Sequence, residues 1–466
     1  MDRLRRVWKG EEDDQAYAPL ESSITGADND ETTASSTSSS TTFSWIEYAC
    51  FLLLGISMLW AWNCLLAVGM YFQTRFHNNH WLIDNFQAAE ISVSTTTNLV
   101  VMLVLTRLQV GANYPRRIIF SLLVNMAIFT LLAVSTSIGA SGQAYFTFLM
   151  LAVFSTSLAT GFAQNGIFAF VSGFAEPRYM SGIMTGQAVA GVLPCIAQIV
   201  SVLSVKDAES EDQQLLSRDD TSSPNPAPIT PAVKSTAALI YFLTATAVSV
   251  ATFIAFTFLV VRRRRSTSNA ATNTASEDDN DAPSDVKQSI PFSVLFAKLR
   301  FLSAAVFVTF AVTMVFPVFT QRILSVTPPS AQPRILQPPS FIPLAFLFWN
   351  SGDLIGRLLT ASPALSLVRR PRVVFALSIL RIGWIGLYHL CNSRGEGAVV
   401  KSDFFYLVVV QLLFGLTNGY LGSTCMIGAS EWVDPEEREA AGGFMGLCLV
   451  SGLAVGSLGS FFAAGV

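Results

Sequence analysis

One apolar stretch of the chain, FLFWNSGDLIGRLLTA at 346–361, contains two opposite charges. Asp353 and Arg357 lie four residues apart, and in a helix they share a face with Phe346 and Asn350. At this spacing the two charges can neutralise each other. A carboxylate that accepts and a guanidinium that donates two hydrogen bonds suit hydroxyl groups on adjacent carbons. The pair is therefore either a salt bridge that locks the helix or, as we favour, a ligand-binding pair. A ribose, a sugar and an amino acid all fit it.

The composition indicates the solvent that surrounds this stretch. Of 466 residues, 51% are hydrophobic and 13% are charged, and the mean hydropathy is +0.48. An ordinary soluble domain has about 25% charged residues. Apolar runs of roughly 20 residues, long enough to cross a hydrocarbon core of about 30 Å, recur along the chain. The sequence therefore predicts an all-α polytopic membrane protein. Charges inside such spans face a bundle interior or a wet cavity.

The apolar runs predict eleven transmembrane helices in four regions of the chain. Residues 1–43 are polar and predict a disordered cytosolic tail, and 44–261 hold a six-helix half. Residues 262–296 begin with four arginines and predict a cytosolic interdomain loop, and 297–466 hold a five-helix half. Because Lys and Arg favour cytosolic segments, the N-terminus is expected in the cytosol. The odd number of spans then puts the C-terminus on the lumenal or extracellular side.

Further polar residues lie inside other spans. Gln164 and Asn165 lie in the fourth span, Trp62 and Asn63 in the first, and Asn418 in the tenth. Each alone is more often a packing residue, but together they favour one shared polar pocket. An aromatic side chain near such a pocket could stack on a planar ring.

Several catalytic motifs are missing from the sequence. No GxxxxGK[ST], HExxH or GxSxG motif occurs, and the chain has only three histidines. We therefore expect no enzyme activity, no cofactor and no metal site, and no nucleic acid partner.

Four motifs, in order and in the expected spans, resemble the equilibrative nucleoside transporter family in its fungal branch. They are WNCLLAVGMYFQTRF (62–76), MSGIMTGQAVAGVLP (180–194), WNSGDLIGRLLTA (349–361), and FGLTNGYLGSTCM (414–426) followed by EREAAGGFMG (437–446). The resemblance implies a major-facilitator-like fold with a 6 + 5 arrangement of helices. It also implies a monomer in a lipid bilayer that moves purine and pyrimidine nucleosides by alternating access.

The resemblance also assigns site residues. It implies that Asp353 and Arg357 recognise the sugar and that Gln164 reads an edge of the nucleoside. The further cavity positions that it implies are Trp62, Leu59, Leu66, Asn350, Phe346 and Phe316. Two residues depart from the family pattern: Ala61 replaces a Pro and Thr160 replaces a Gly. The second departure puts sensitivity to nucleoside-mimic inhibitors in doubt.

Two other functions remain open on the sequence: a proton-coupled sugar or drug carrier of the major-facilitator type, and a receptor or scaffold without flux. The Asp–Arg pair favours the nucleoside carrier, and eleven spans count against a receptor. The preferred base, the transport of nucleobases and proton coupling are left open. Fungal relatives commonly reside in the vacuolar membrane, so we expect that membrane before the plasma membrane.

Overall fold

The structure, a computed structural model, describes residues 43–76, 79–109, 111–174, 176–216, 231–274, 290–395 and 397–463. The predicted N-terminal tail lies outside these residues apart from Phe43. The ring of Phe43 stacks on Tyr179 with 5.7 Å between the centroids, so this residue packs against the helical part of the chain.

Long α-helices make up most of the described chain. In chain order they are α1 Trp45–Ala67, α2 His80–Arg107, α3 Tyr114–Ser135, α4 Gly142–Ser172, α5 Pro177–Leu216, α6 Pro231–Thr274, α7 Phe292–Thr313, α8 Pro338–Leu359, α9 Pro371–Leu380, α10 Leu413–Gly428 and α11 Arg438–Ala463. Short helices extend three of them: Gly69–Arg75 follows α1, Val315–Thr320 follows α7 and Trp384–His389 follows α9. A π-helix, Phe405–Leu412, leads into α10.

Local sequence signals explain where these helices begin. Asn79, Asn113 and Ser141 each accept a backbone N–H in the first turn of α2, α3 and α4. Proline occupies the first turn of α3, α8 and α9, where its fixed φ suits a helix start.

Ten helical spans in the described residues are long and apolar enough to cross a membrane. Helix α8 is 22 residues long but is not one of these ten. Its polar residues Asn350, Asp353 and Arg357 lower its hydropathy. The prediction of an all-α polytopic membrane protein is therefore confirmed, and the count of eleven spans stays a prediction.

The predicted interdomain loop, 262–296, is helical at both ends. Helix α6 continues to Thr274 and α7 begins at Phe292. No Gly or Pro lies between 262 and 274, and arginine is a good helix former, so nothing ends α6 at its basic run. The remainder of the loop, 275–289, lies outside the described residues.

Helices α8 and α10 pack backbone against backbone. A Cβ atom added at Gly356 would lie 2.1 Å from the Leu416 carbonyl oxygen, and one at Gly419 would lie 1.9 Å from that of Asp353. Gly352 and Gly415 make equally close approaches in the same seam. Small residues allow such contact between membrane helices, and here they bring the polar residues of α8 and α10 together.

Among the described residues, the two halves of the chain, α1–α6 and α7–α11, meet at two places. Thr106 Oγ1 at the end of α2 donates to the carbonyl of Gly443 in α11 over 3.5 Å. A Cβ atom at Gly442 would lie 2.3 Å from the carbonyl oxygen of Phe168 in α4. The halves are thus in direct contact, here called the closed contact, where α2 and α4 end and α11 begins. The second contact joins α5 to α8 and contains the site described next.

Candidate functional site

The two charges of α8 form the ion pair that their spacing predicts. Arg357 Nε donates to Asp353 Oδ2 over 2.7 Å, and both side chains are buried, with Asp353 only 3% exposed. An i,i+4 pair on one helix places the charges together without help from the rest of the fold. Their other partners come from different helices.

The pair joins α8 to both α10 and α5. Asp353 Oδ1 accepts a hydrogen bond of 2.7 Å from Asn418 Nδ2 of α10. Arg357 Nη1 donates to the Met184 carbonyl over 2.7 Å and to Gln187 Oε1 over 3.1 Å, both on α5. The pair therefore connects the C-terminal half to the N-terminal half.

Hydrogen-bonding capacity remains on both charged groups. No described residue accepts a bond from Arg357 Nη2, and each carboxylate oxygen of Asp353 has one described partner. A guanidinium has five donors and a carboxylate oxygen can accept more than one bond. The two N–H groups of Arg357 Nη2 and one lone pair on each Asp353 oxygen are thus available to a ligand.

A second guanidinium, that of Arg381, shares Asn418 with the pair. Arg381 is 1% exposed, and its Nη1 donates to the Thr309 carbonyl over 2.8 Å and to Asn418 Oδ1 over 3.3 Å. Its guanidinium carbon lies 4.7 Å from the centroid of the Phe414 ring. Two cations and one carboxylate therefore share this buried region. Sequence reasoning did not place Arg381 in the site, although a charge inside an apolar run marks a candidate.

Aromatic rings line α8 beside the polar residues. Phe316 stacks on Trp349 with 4.2 Å between centroids and 13° between planes. Phe346 meets Phe316 edge to face at 4.9 Å. The Trp349 Nε1 is buried without a hydrogen-bond partner, so it is a donor without an acceptor. Sequence reasoning missed Trp349, whose signal was its place directly before Asn350.

Asn350 lies at the contact between α8 and α5. Its Nδ2 donates to the Phe346 carbonyl over 2.9 Å and to the Cys195 sulfur over 3.5 Å. Its Oδ1 occupies the space above Gly191, 2.3 Å from where a Cβ atom would be. This predicted site residue therefore lies one helical turn from Asp353, at the junction of the two halves.

The site residues expected in the N-terminal half have other neighbours. Gln164 is buried in α4, and its Oε1 accepts a 3.1 Å hydrogen bond from Asn98 of α2. Trp62 and Leu59 are partly buried on α1, whereas Leu66 is 47% exposed. No contact described for these four residues reaches Asp353 or Arg357, and their roles in binding stay predictions.

Comparison with known proteins identifies relatives across most of the chain. Residues 149–464 match the family model described as "Nucleoside transporter". The nucleoside transporter FUN26 of Saccharomyces cerevisiae is 30% identical over 89% of this chain and 83% of its own length. Human equilibrative nucleoside transporter 2 is 25% identical over 88% of this chain and 95% of its own length.

Solved structures with the same fold belong to the major facilitator superfamily. The proton:xylose symporter XylE aligns with a TM-score of 0.55 and 8% identity over 90% of this chain and 86% of its own. The Escherichia coli fucose:proton symporter FucP aligns with a TM-score of 0.51 and 12% identity over 90% and 96%. At such low identity the likeness establishes the fold alone. The expected major-facilitator-like fold is confirmed, and the 6 + 5 division of its helices stays a prediction.

Proposed function

The chain belongs to the nucleoside transporter family, and from this premise we propose that it carries purine and pyrimidine nucleosides across a membrane by alternating access. The observation that carries the proposal is the buried Asp353–Arg357 pair, which has partners in both halves. The residues at the junction of the halves are the ones whose contacts change when the halves move. A substrate bound there biases that movement.

The sugar is the proposed partner of the ion pair. Two hydroxyls on adjacent carbons can donate to Asp353 and accept from the unpaired Nη2 of Arg357. Arg357 Nη1 is held by Met184 and Gln187 of α5 in this conformation. The same guanidinium would thus bind the sugar and donate the hydrogen bonds to α5. This links occupancy of the site to the contact between the halves.

The base is proposed to meet aromatic and amide side chains. Phe316, Phe346 and Trp349 offer apolar ring surface, and the Trp349 Nε1 is a donor for a ring nitrogen or carbonyl of a base. Trp62 and Gln164 of the N-terminal half complete the proposed pocket, with Leu59 and Leu66 at its side. Ring surface tolerates both purines and pyrimidines, so selectivity rests mainly on the sugar.

We further propose the orientation and location of the protein. With a cytosolic N-terminus, α2 and α4 end on the cytosolic side, so the closed contact near Gly442 is cytosolic and the site opens to the lumen or exterior. The proposed location is the vacuolar membrane, and the proposed working unit is the monomer. A fluorescent fusion viewed with a vacuolar membrane dye tests the location.

The test of function is uptake of labelled uridine into proteoliposomes, with unlabelled competitors. Adenosine is expected to compete fully, 2′,3′-dideoxyuridine weakly, and glucose not at all. A site built for hydroxyls discriminates against an analogue that lacks them, because its own polar groups stay unpaired. Competition by free uracil as strong as that by adenosine would contradict recognition through the sugar.

A further inference from the structure

A second buried carboxylate lies outside the proposed nucleoside site. Glu90 of α2 is 2% exposed, and its Oε1 is buried without a hydrogen-bond partner. Leu82 and Phe86, which precede it at intervals of four residues, are also buried. Glu90 thus continues the face of α2 that packs into the protein, and it points away from lipid.

No described ion pair includes Glu90, and the elements packed against α2 bring no charge to it. Helix α4 has no charged residue, and the phenol of its Tyr145 is hydrogen-bonded to Ser135. The neighbouring segment Gly69–Arg75 carries Arg75, which donates to Tyr71 and to three backbone carbonyls.

The other titratable groups near α2 lie at its ends or on α11. Helix α11 has Arg438 and Glu439 in its first turn, beside the closed contact at the far end of α2 from Glu90. The remaining groups on α2 and α11 are His80, Asp84, Arg107 and Cys448. The carboxylate of Glu90 therefore has no counter-ion among the described residues.

Glu90 begins a line of polar residues that ends at Gln164. Ser94 and Asn98 follow Glu90 at intervals of four and share its face of α2. Ser157 Oγ of α4 donates to Ser94 Oγ over 2.9 Å, and Asn98 Nδ2 donates to Gln164 Oε1 over 3.1 Å. Two hydrogen bonds of the α2–α4 contact thus lie between the level of the lone carboxylate and Gln164 of the proposed nucleoside pocket.

An isolated carboxylate in an apolar interior is costly as an ion and much less so as an acid. The ionised group can only accept hydrogen bonds, whereas the protonated group has one donor. Gain or loss of a proton therefore changes both the charge and the hydrogen bonding at the first polar position of the α2–α4 contact.

We propose that Glu90 is the proton-binding site of a nucleoside–proton symporter, in which one proton bound at Glu90 crosses with each nucleoside. The line through Ser94 and Asn98 to Gln164 couples the two occupancies. The proposal rests on the proposed nucleoside transport and assigns the proton to Glu90 rather than to Asp353, whose charge is paired with Arg357. The carboxylate takes a proton from one side and releases it to the other, with no other bond changed.

The experiment uses the full chain in proteoliposomes loaded at neutral pH, with the outside made about two pH units more acidic. A one-proton symporter can then accumulate uridine about a hundredfold, since each pH unit is a tenfold proton ratio. Accumulation depends on the gradient and not on the direction in which the protein inserts. Glu90→Gln is expected to move uridine to equal concentration and no further. Glu176→Gln, the same change at a partly buried glutamate paired with the exposed Arg178, is expected to accumulate like the wild type.

A second measurement needs no variant. Addition of uridine to wild-type proteoliposomes at equal pH is expected to raise the external pH, reported by a dye. Downhill uridine uptake without this change and without accumulation would overturn the symport while leaving nucleoside transport standing. Accumulation by Glu90→Gln equal to that of the wild type would overturn the assignment to Glu90. Absence of any uridine flux in the wild type would overturn both proposals.

Discussion

Replacing Asp353 by asparagine removes one charge and keeps the shape of the side chain, and the structure shows why an amide fails here. Asp353 accepts from Arg357 on one oxygen and from Asn418 on the other. An asparagine has one acceptor and would turn its NH2 group toward one of these two donors. Asn418 cannot reverse its own amide to compensate, because its Oδ1 already accepts from Thr313 over 2.6 Å and from Arg381.

The expected magnitude follows from these contacts. A hydrogen bond to a charged group is worth about 1.5–3 kcal/mol, and breaking a buried ion pair from one side costs about 3–5 kcal/mol. Asp353→Asn also leaves Arg357 and Arg381 without their carboxylate. We expect the free energy of unfolding to fall by about 3–5 kcal/mol. If the free energy of uridine binding is weakened by only about 1.4 kcal/mol, uridine affinity falls about tenfold.

The assay measures thermal unfolding in detergent and uridine uptake per reconstituted protein. Asp434→Asn is the matched control, because Asp434 pairs with Lys298 at 2.6 Å but is 49% exposed. Exposed pairs are worth about 0–1 kcal/mol, so this control is expected to retain stability and uptake.

A double variant, Asp353→Asn with Arg357→Gln, separates the two roles of the pair. It removes both charges, so stability should partly return while uptake stays low if the pair binds substrate. Wild-type uptake by the double variant would show that the pair is a salt bridge that only locks α8. Wild-type uptake and stability in Asp353→Asn alone would refute the energetic reasoning itself.

The remaining predictions concern other parts of the protein. Gln164→Ala should weaken uridine affinity by a few-fold to about tenfold, since a neutral hydrogen bond is worth about 0.5–1.5 kcal/mol; unchanged affinity for every nucleoside would remove Gln164 from the pocket. Gly442→Ala should lower the free energy of unfolding by about 1–3 kcal/mol, because its Cβ would lie 2.3 Å from a carbonyl oxygen of α4. Gly459→Ala, where nothing lies within 4 Å, is its control, and equal melting of both variants would contradict this. Deletion of 275–286 should leave uridine uptake intact, because connecting-segment length has a small effect on stability; lost flux in a variant that reaches the membrane would show that this segment couples the halves.

What could be predicted from the sequence is largely what neighbouring residues determine. The Asp353–Arg357 pair follows from a spacing of four on one helix, and the structure forms it at 2.7 Å. The bilayer restricts the possible folds further, because an apolar run of this length can satisfy its own backbone hydrogen bonds there only as a helix. The shared polar pocket was predicted only as a group of residues from different spans.

The pairings inside the site could not be predicted, because they join residues far apart in the chain. The guanidinium of Arg357 meets α5 at Met184, and the carboxylate of Asp353 meets Asn418. Both contacts depend on how three helices are arranged, which hydropathy does not encode. Arg381, directly after α9, contacts Asn418 of α10, and this contact likewise depends on the arrangement of the helices. The end of α6 at Thr274 was missed because a basic run marks the edge of the membrane and not the end of a helix.

The glycine seam between α8 and α10 has a consequence for how this protein can evolve. Asp353 is adjacent to Gly352, and Asn418 to Gly419, so main-chain contact sets the distance between the two polar side chains. No substitution can make a main-chain contact smaller, whereas a contact between side chains can change in size through successive substitutions. A Cβ atom at any of the four glycine positions would therefore push the two helices apart. Natural missense variants there should impair transport as severely as variants of the charged residues themselves, although no glycine touches the substrate.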